Sequence, residues 1–457
     1  MRLQVCLFAA VFACAGASWA GDEETDRRLK ELEEQNKAIL ERLKQSEAQN
    51  TKLEEEVDRV RARENELLER DIEQYLDATR EMEGAEPAGF RTKKDAFCTL
   101  YGFVRLDVYY NTARMDNVII PFRVIAEDGV AADANDDQFA MDIRLTRIGL
   151  DFNFGKVVNA DATGKIEIDF ANFPTGPAES RPTPRIRLAF INLDTAKWWL
   201  RLGQDWDVAS PLFPSVNAET LMWNNGNPGD RRPQIEWFWK GSGSITVQTA
   251  IGLQGAINNQ DLDAGAPPFT STERDGFDAG YPNFEIRGAW TSAGERKIVV
   301  GVWGYIGGNE TDTAFGGSND FLSAMAGADF TVPVGPKFVV RGEVWWAQAG
   351  GDIRANMGQT INTATGEEIA GWGGWIELKY LHNDRWNFYG GTTVDDPDNG
   401  DLPATGFSEG FTAYLGVVRT WTKTFRTGVD ATFWETLYAN DTRGNAVRFD
   451  FYAVMDF

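Results

Sequence analysis

Six arginines, Arg105, Arg144, Arg185, Arg187, Arg201 and Arg232, recur in segments where charged and apolar residues alternate. Asp107, Asp142, Glu167, Asp169 and Glu236 share their parity, while Asp205, Asp207 and Glu219 stand in or beside the polar stretch after Arg201. Guanidinium rows set against carboxylates break no bonds. They sort ions by sign and orient dipolar solutes, provided they line a hollow that solutes cross. The same charges could instead only solvate a polar interior and pair across strands, and spacing alone leaves both open. Bond-making chemistry finds little support. The sole histidine, His382, sits in the turn-like "LHNDR", away from any strand serine it could activate. One histidine and, beyond residue 20, one cysteine (Cys98) are too few for a zinc or iron site. The glycines of "GWGGW" neither follow a strand nor open a helix as a phosphate loop would. No cofactor or metal is expected, and an enzymatic reading is rejected.

The elements that must carry these charges are strands. In "TLYGFVRLDVYY", Val104, Leu106 and Val108 alternate with Phe103, Arg105, Asp107 and Tyr109. "GKIEIDF", "PQIEWFWK", "FVVRGEVWW" and "WIELKY" repeat the pattern, and a period of two places the two sets on opposite faces of a sheet. A soluble sandwich would bury the apolar face. Here Trp and Tyr gather near strand ends, as interfacial girdles do, and the sheet reads as inverted. Mean hydropathy is −0.37, and no run of eighteen apolar residues follows the first twenty, which excludes a helical membrane protein. A membrane barrel escapes that criterion because its two faces average out. Sixteen Trp and 46 Gly suit many strands joined by turns.

The N-terminal part is different in kind. Residues 1–20 read as a secretory signal with one Arg, an apolar stretch and Ser18-Trp19-Ala20, cleaved before Gly21. Cys14 leaves lipoprotein processing as an alternative, against which Phe12 occupies a position that wants a small residue. Residues 21–83 lack Gly and Pro from Arg27 to Ala78 and carry Leu29, Leu32, Asn36, Ile39, Leu43, Ser46, Asn50, Leu53, Val57, Val60 and Leu67 at spacings of three and four, with Glu64 as the one charged interruption. That is a coiled-coil seam, with Asn36 and Asn50 at a positions where a buried amide fixes register. Some sixty helical residues would reach roughly 90 Å. Residues 84–96 form a linker.

From residue 97 to 457 the breaks between strands alternate in length. Short connections, such as "DTAK", "KGSG", "PVGPK" and "HNDR", number seven. Eight longer polar stretches lie at about 111–137, 173–184, 206–231, 257–281, 308–318, 349–368, 395–408 and 438–445. The expected fold is an all-β transmembrane barrel of about sixteen antiparallel strands preceded by an α-helical coiled coil. At that size the lumen is a water-filled channel. The last strand, "NAVRFDFYAVMDF", places Phe451, Met455 and Phe457 on one apolar face. Outer-membrane proteins commonly end this way, and this end resembles the signal that the barrel assembly machinery reads.

"LTRIGLDFNFGKVVNADATGKIEIDF" resembles the second and third strands of Gram-negative porins. "GQDWDVASPLFPSVNAETLMWNNGNPGDRRPQIEW" is similar to the DcaP-like porins, in a Gly-Gln-x-Trp strand end, a Pro- and Glu-containing loop and an Arg-Pro-Gln-Ile strand. The resemblance implies a homotrimer in the outer membrane, in contact with its lipids, with a helical extension in the periplasm and uptake of small carboxylated solutes. It also implies a constricting third loop whose acids, Asp205, Asp207 and Glu219, oppose the arginines. Arg147 breaks the simple alternation. The formal charge of −24 is in tension with anion uptake, since acidic runs such as "EDGVAADANDDQ" and "DDPDNGD" would guard the mouth. The competing role is structural, an envelope anchor that tethers through its coiled coil, by way of peptidoglycan, with the pore secondary.

Overall fold

The computed structural model describes residues 89–94, 96–127, 136–172, 182–217, 221–241, 243–256 and 274–457, with Lys37 and Glu41, both helical. The expected signal peptide, the coiled coil apart from Lys37 and Glu41, and residues 84–88 and 95 of the linker lie outside the described residues. The remainder forms one unit. Among the described residues its strands are β1 (Phe97–Asn111), β2 (Gln138–Asp142 and Arg147–Val157), β3 (Ala160–Asn172), β4 (Thr183–Asp194) and β5 (Trp198–Trp206). Next come β6 (Arg231–Trp239), β7 (Ile245–Gly252), β8 (Asn283–Thr291), β9 (Val299–Phe315), β10 (Ser318–Val334) and β11 (Phe338–Gln348). The circuit ends with β12 (Ala370–Asn383), β13 (Trp386–Pro397), β14 (Phe407–Thr420), β15 (Phe425–Tyr438) and β16 (Arg443–Asp456).

Each strand pairs antiparallel with its neighbours in sequence, and β1 pairs with β16 from Phe103↔Asp456 to Asn111↔Arg448. The sheet is therefore a closed barrel of sixteen strands, and closure leaves no unpaired edge. A three-residue strand, Gly89–Arg91, lies against the start of β1.

The sheet is inverted. Val104, Leu106, Ile235, Trp237, Val302, Val344, Leu415, Phe451 and Met455 stand exposed on the outside. Asp107, Glu167, Asp169, Glu285, Glu343, Glu377, Asp430 and Arg448 are buried within. An outward apolar belt of this extent has a place in lipid and none in water. Inside, large rings lie over glycines of the adjacent strand: a Cβ at Gly416 would sit 2.3 Å from the Tyr389 ring, and one at Gly373 would sit 2.3 Å from that of Trp345. These rings fill the pleat that the glycine leaves bare.

The break in β2 has a local cause. Asp107 opposes Asp142 and Phe103 opposes Arg147, so three residues of β1 face four of β2. The Thr146 hydroxyl accepts from the Arg105 N–H at 3.1 Å and takes up the slack. This bulge reverses the parity of β2: Ile143 and Ile148 both point outward, and Arg147 turns inward.

Two expected loops are overturned. The stretch 308–318 is not a loop. β9 and β10 run on through it with Asn309 Nδ2 donating to Ser323 Oγ at 2.9 Å, and only Gly316 and Gly317 turn the chain. Both have positive φ (57° and 94°), as a tight two-residue hairpin requires. At 438–445 strand pairing likewise continues, and only residues 439–442 are left as the turn.

Candidate functional site

The barrel interior is divided into two unlike halves by the connection between β5 and β6, residues 207–230 (the third loop). Rather than projecting outward, it follows the inner wall from β8 round to β1, held by a succession of carboxylates. Glu285 on β8 accepts from the Val208 and Ala209 N–H groups at 2.7 and 2.9 Å. Glu343 on β11 accepts from the Leu212 N–H at 2.8 Å and the Ser210 hydroxyl at 2.5 Å. Glu377 on β12 accepts from the Ser215 N–H at 2.6 Å and its hydroxyl at 2.9 Å. Asp430 on β15 accepts from the Asn217 N–H at 2.5 Å, and Asp107 on β1 accepts from its side-chain amide at 3.0 Å. On the return, Asn225 Nδ2 donates to Thr412 Oγ1 at 2.5 Å and Trp345 Nε1 donates to the Gly226 carbonyl at 3.0 Å. The wall thus supplies acceptors and the loop supplies donors, and each pairing satisfies polar groups that would be costly to bury alone.

The opposite wall, β2 to β6, is left basic. Arg185 Nε donates to Asp169 at 2.9 Å, and Arg187 reaches Glu167 with Nε at 2.9 Å and Asp169 with its terminal nitrogen at 2.8 Å. Arg147 lies 3.4 Å from Glu167. Farther along, Arg231 and Arg354 share Asp230, at 3.1 and 2.8 Å. With Arg201, which pairs with Asp205 and lies 3.9 Å from Glu236, six guanidiniums of this wall and the adjoining loops face five carboxylates. The Asp230 carboxyl, outside the strands, is held below its ordinary value: burial pushes it up, but Arg354 and Arg231 outweigh that. Side chains of Arg147, Arg185 and Arg201 keep 25–27% of their surface exposed. Aromatic rings line the same space. Arg187 and Arg231 lie 5.9 and 4.7 Å from the Trp206 ring centre, and Trp206 stacks obliquely on Phe213 at 4.4 Å.

Two further loops join the third inside the barrel. The 349–369 connection (the sixth loop) places Asp352 at 2.8 Å from Arg232, and its Ile353 carbonyl accepts from the Gly229 N–H at 2.7 Å. Ile353 and Ala355 pack with Ala209, Trp303, Tyr305, Met325 and Trp345. From the 112–137 connection (the first loop), Met115 and Val124 pack with Val216, Met222, Tyr389, Tyr414 and Trp434. Arg448 donates to the Val118 carbonyl at 2.6 Å.

The residues singled out from sequence separate accordingly. Arg185, Arg187 and Arg201 lie on the basic wall, and Arg105 ion-pairs with Asp107 while also donating to Asn217. Arg144 and Arg232 are inward but only 2% and 0% exposed, so they stand inside packed structure rather than at a free surface. The expected opposition of third-loop acids to the arginines takes a different form. Asp205, still on β5, pairs with Arg201 of its own strand, and Asp207 pairs with buried Arg232 at 2.7 Å. Glu236 is buried, accepts from Gln248 and lies 3.9 Å from Arg201. Glu219 lies outside the described residues. His382 is the second-last residue of β12, beside the expected turn, with Nδ1 2.9 Å from the Tyr380 hydroxyl. Sequence reasoning missed Arg231, Arg354 and the Trp206–Trp223–Phe213 rings. A signal for the sixth loop existed in "GGDIRANMG", where Ile353, Ala355 and Met357 alternate with polar residues, unusual for an exposed connection.

No protein-family model matches this sequence, and no curated protein matches it either. Among solved structures, the fold is similar to the outer membrane channel DcaP of Acinetobacter baumannii, with a TM-score of 0.66 at 18% identity over 81% of this chain and 100% of that one. It is also similar to an anion-selective porin from Comamonas acidovorans, with a TM-score of 0.52 at 12% identity over 79% and 100% of the two chains. OmpT of Vibrio cholerae in its trimer form gives a TM-score of 0.50 at 12% identity over 79% and 99%. The chain has the sixteen-stranded porin fold.

Proposed function

We propose that this protein is an outer-membrane porin, a water-filled channel for passive diffusion of small hydrophilic solutes and ions, with a preference for small anions such as carboxylates where the path narrows. The observation that carries this reading is the asymmetric interior. The third loop covers the acidic half of the wall and consumes its carboxylates, so the groups left facing free space are the arginines of β2 to β6 with their surplus positive charge. The outer acidic runs reduce anion concentration at the mouth, and the basic wall acts after them. Self-association as a homotrimer is supported by the trimer form of one structural neighbour. In this reading residues 21–83 are a periplasmic coiled coil that trimerises and spaces the barrels. Phe451, Met455 and Phe457 present the apolar face offered to the assembly machinery and to lipid.

The test is planar-bilayer conductance of the purified full chain under a salt gradient. Stepwise insertions, in groups of three, with a reversal potential of anionic sign support the reading. Strong cation selectivity would sink the anion preference. Silence despite β-structure and heat-modifiable mobility would overturn the channel itself and favour an envelope anchor bound to peptidoglycan.

A further inference from the structure

We propose that Arg354 is a specificity-determining residue of the channel, delivered into the lumen by the sixth loop, with Asp230 of the third loop setting how much of its charge a passing ion meets. This rests on the channel reading above. The constriction is then a joint product of three loops rather than of the third alone.

Arg354 stands where those loops meet. Its guanidinium donates to Asp230 at 2.8 Å and lies 4.9 Å from the Trp223 ring centre, both in the third loop. Phe122 of the first loop lies 5.6 Å from it on another side. Its backbone is equally committed: the N–H donates to the Gly351 carbonyl at 3.1 Å, and the carbonyl accepts from the Asn224 N–H at 3.2 Å. The residue adopts a left-handed conformation (φ 67°), as do Ala349, Asn356 and Met357 in the same loop. Non-glycine residues rarely hold that conformation unless their surroundings impose it. Here the surrounding contacts come from the sixth loop's own turn at Gly351 and from the third loop at Asn224 and Asp230, and 21% of the Arg354 side chain is still exposed.

The charge count at this junction is uneven. Asp230 is shared by Arg231 and Arg354, so one carboxylate answers two guanidiniums. The unneutralised positive charge adjoins the Trp206–Trp223 face, the rings being 6.2 Å apart, and continues toward Arg187. A planar cation over an aromatic face is less hydrated than an ammonium and presents its edge to a passing anion. Removing Arg354 subtracts one positive charge from the junction, and neutralising Asp230 adds one. The two changes break the same ion pair but alter the field in opposite directions, which separates a charge role from a latch role.

The measurement is reversal potential under a salt gradient for the full-length wild type, R354Q, R354K and D230N. Screened over about 10 Å, a unit charge about 7 Å from an ion path in nearly bulk water raises one ion's population and lowers the other's by about 1.6-fold each, a change of about two- to three-fold in their ratio. R354Q is expected to lower the anion-to-cation permeability ratio by that factor, D230N to raise it similarly, and R354K to stay near the wild type. Shifts of the same sign in R354Q and D230N would mean that the pair only latches two loops together and would overturn the proposal. So would an R354K channel indistinguishable from R354Q, or no shift in any variant. A silent wild type would remove the channel reading with it, whereas same-sign shifts in a conducting wild type remove this inference alone.

Discussion

At the residue scale, the division of labour among arginines follows from their partners. Arg187 bridges two carboxylates, Glu167 and Asp169, which keep Arg147, Arg185 and the Tyr101 hydroxyl as further partners. Its replacement in R187Q therefore leaves neither acid bare. The expected cost is about 1–3 kcal/mol of stability, and the reversal potential moves toward cations. Denaturant unfolding and bilayer recording check the two halves separately. Asp230 gives a pH prediction whose sign is fixed by its depressed value. A lowered carboxyl keeps its charge, and the stability it lends, above the ordinary aspartate value and loses both only as pH falls through its own. Wild type and D230N should thus differ by a constant amount between pH 7 and about 5, and converge only below about pH 4. Convergence already at pH 6 would contradict that assignment. Period-two alternation made Arg185, Arg187 and Arg201 legible in the sequence, because a strand dictates where each side chain points. It also raised the parity break at Arg147, which the Thr146 bulge explains. Arg354 was beyond reach: a loop has no period, and its direction comes from contacts made far away in sequence.

At the element scale, the third loop depends on acceptors that it does not itself carry. Glu343 and Glu377 stand on the charged face of the alternating "FVVRGEVWW" and "WIELKY", but nothing local says that a carboxylate will meet a backbone N–H some 130 or 160 residues distant. The E343Q substitution keeps the shape and replaces one acceptor oxygen by a donor, facing either the Leu212 N–H or the Ser210 hydroxyl. The expected loss is about 1–2 kcal/mol of loop attachment, with little change in barrel stability. Its signature is added open-channel noise and faster proteolysis within residues 207–230, at an unchanged reversal potential. A quiet channel resistant to protease would show that neighbouring acids suffice. The same scale explains the overturned loops. Asn309 and Thr311 looked like loop residues by polarity, yet an inward strand face in a barrel is also polar, so composition cannot tell the two apart. Only the paired positive-φ glycines at 316 and 317 marked the true turn.

At the scale of the whole molecule, the inverted pattern was the most legible feature, since alternation with large aromatics on one face has few other solutions. Closure between β1 and β16 pairs Phe103–Asn111 with Arg448–Asp456, and the start of β1 is paired by Gly89–Arg91. The inner loops are likewise anchored to the barrel wall and to one another, through Arg232–Asp352, Arg448–Val118 and the carboxylate series. Among the described residues, these lumen-shaping contacts all lie within residues 97–457. Deleting residues 25–83 should therefore leave the conductance and reversal potential of each inserted barrel unchanged. If the extension trimerises, its loss should change how the barrels arrive, replacing simultaneous groups of three by single steps. Altered unit conductance in correctly inserted barrels would mean that the extension contributes to the lumen. Unchanged triple steps would mean that the outward faces of the strands, and not the heptads, hold the oligomer together.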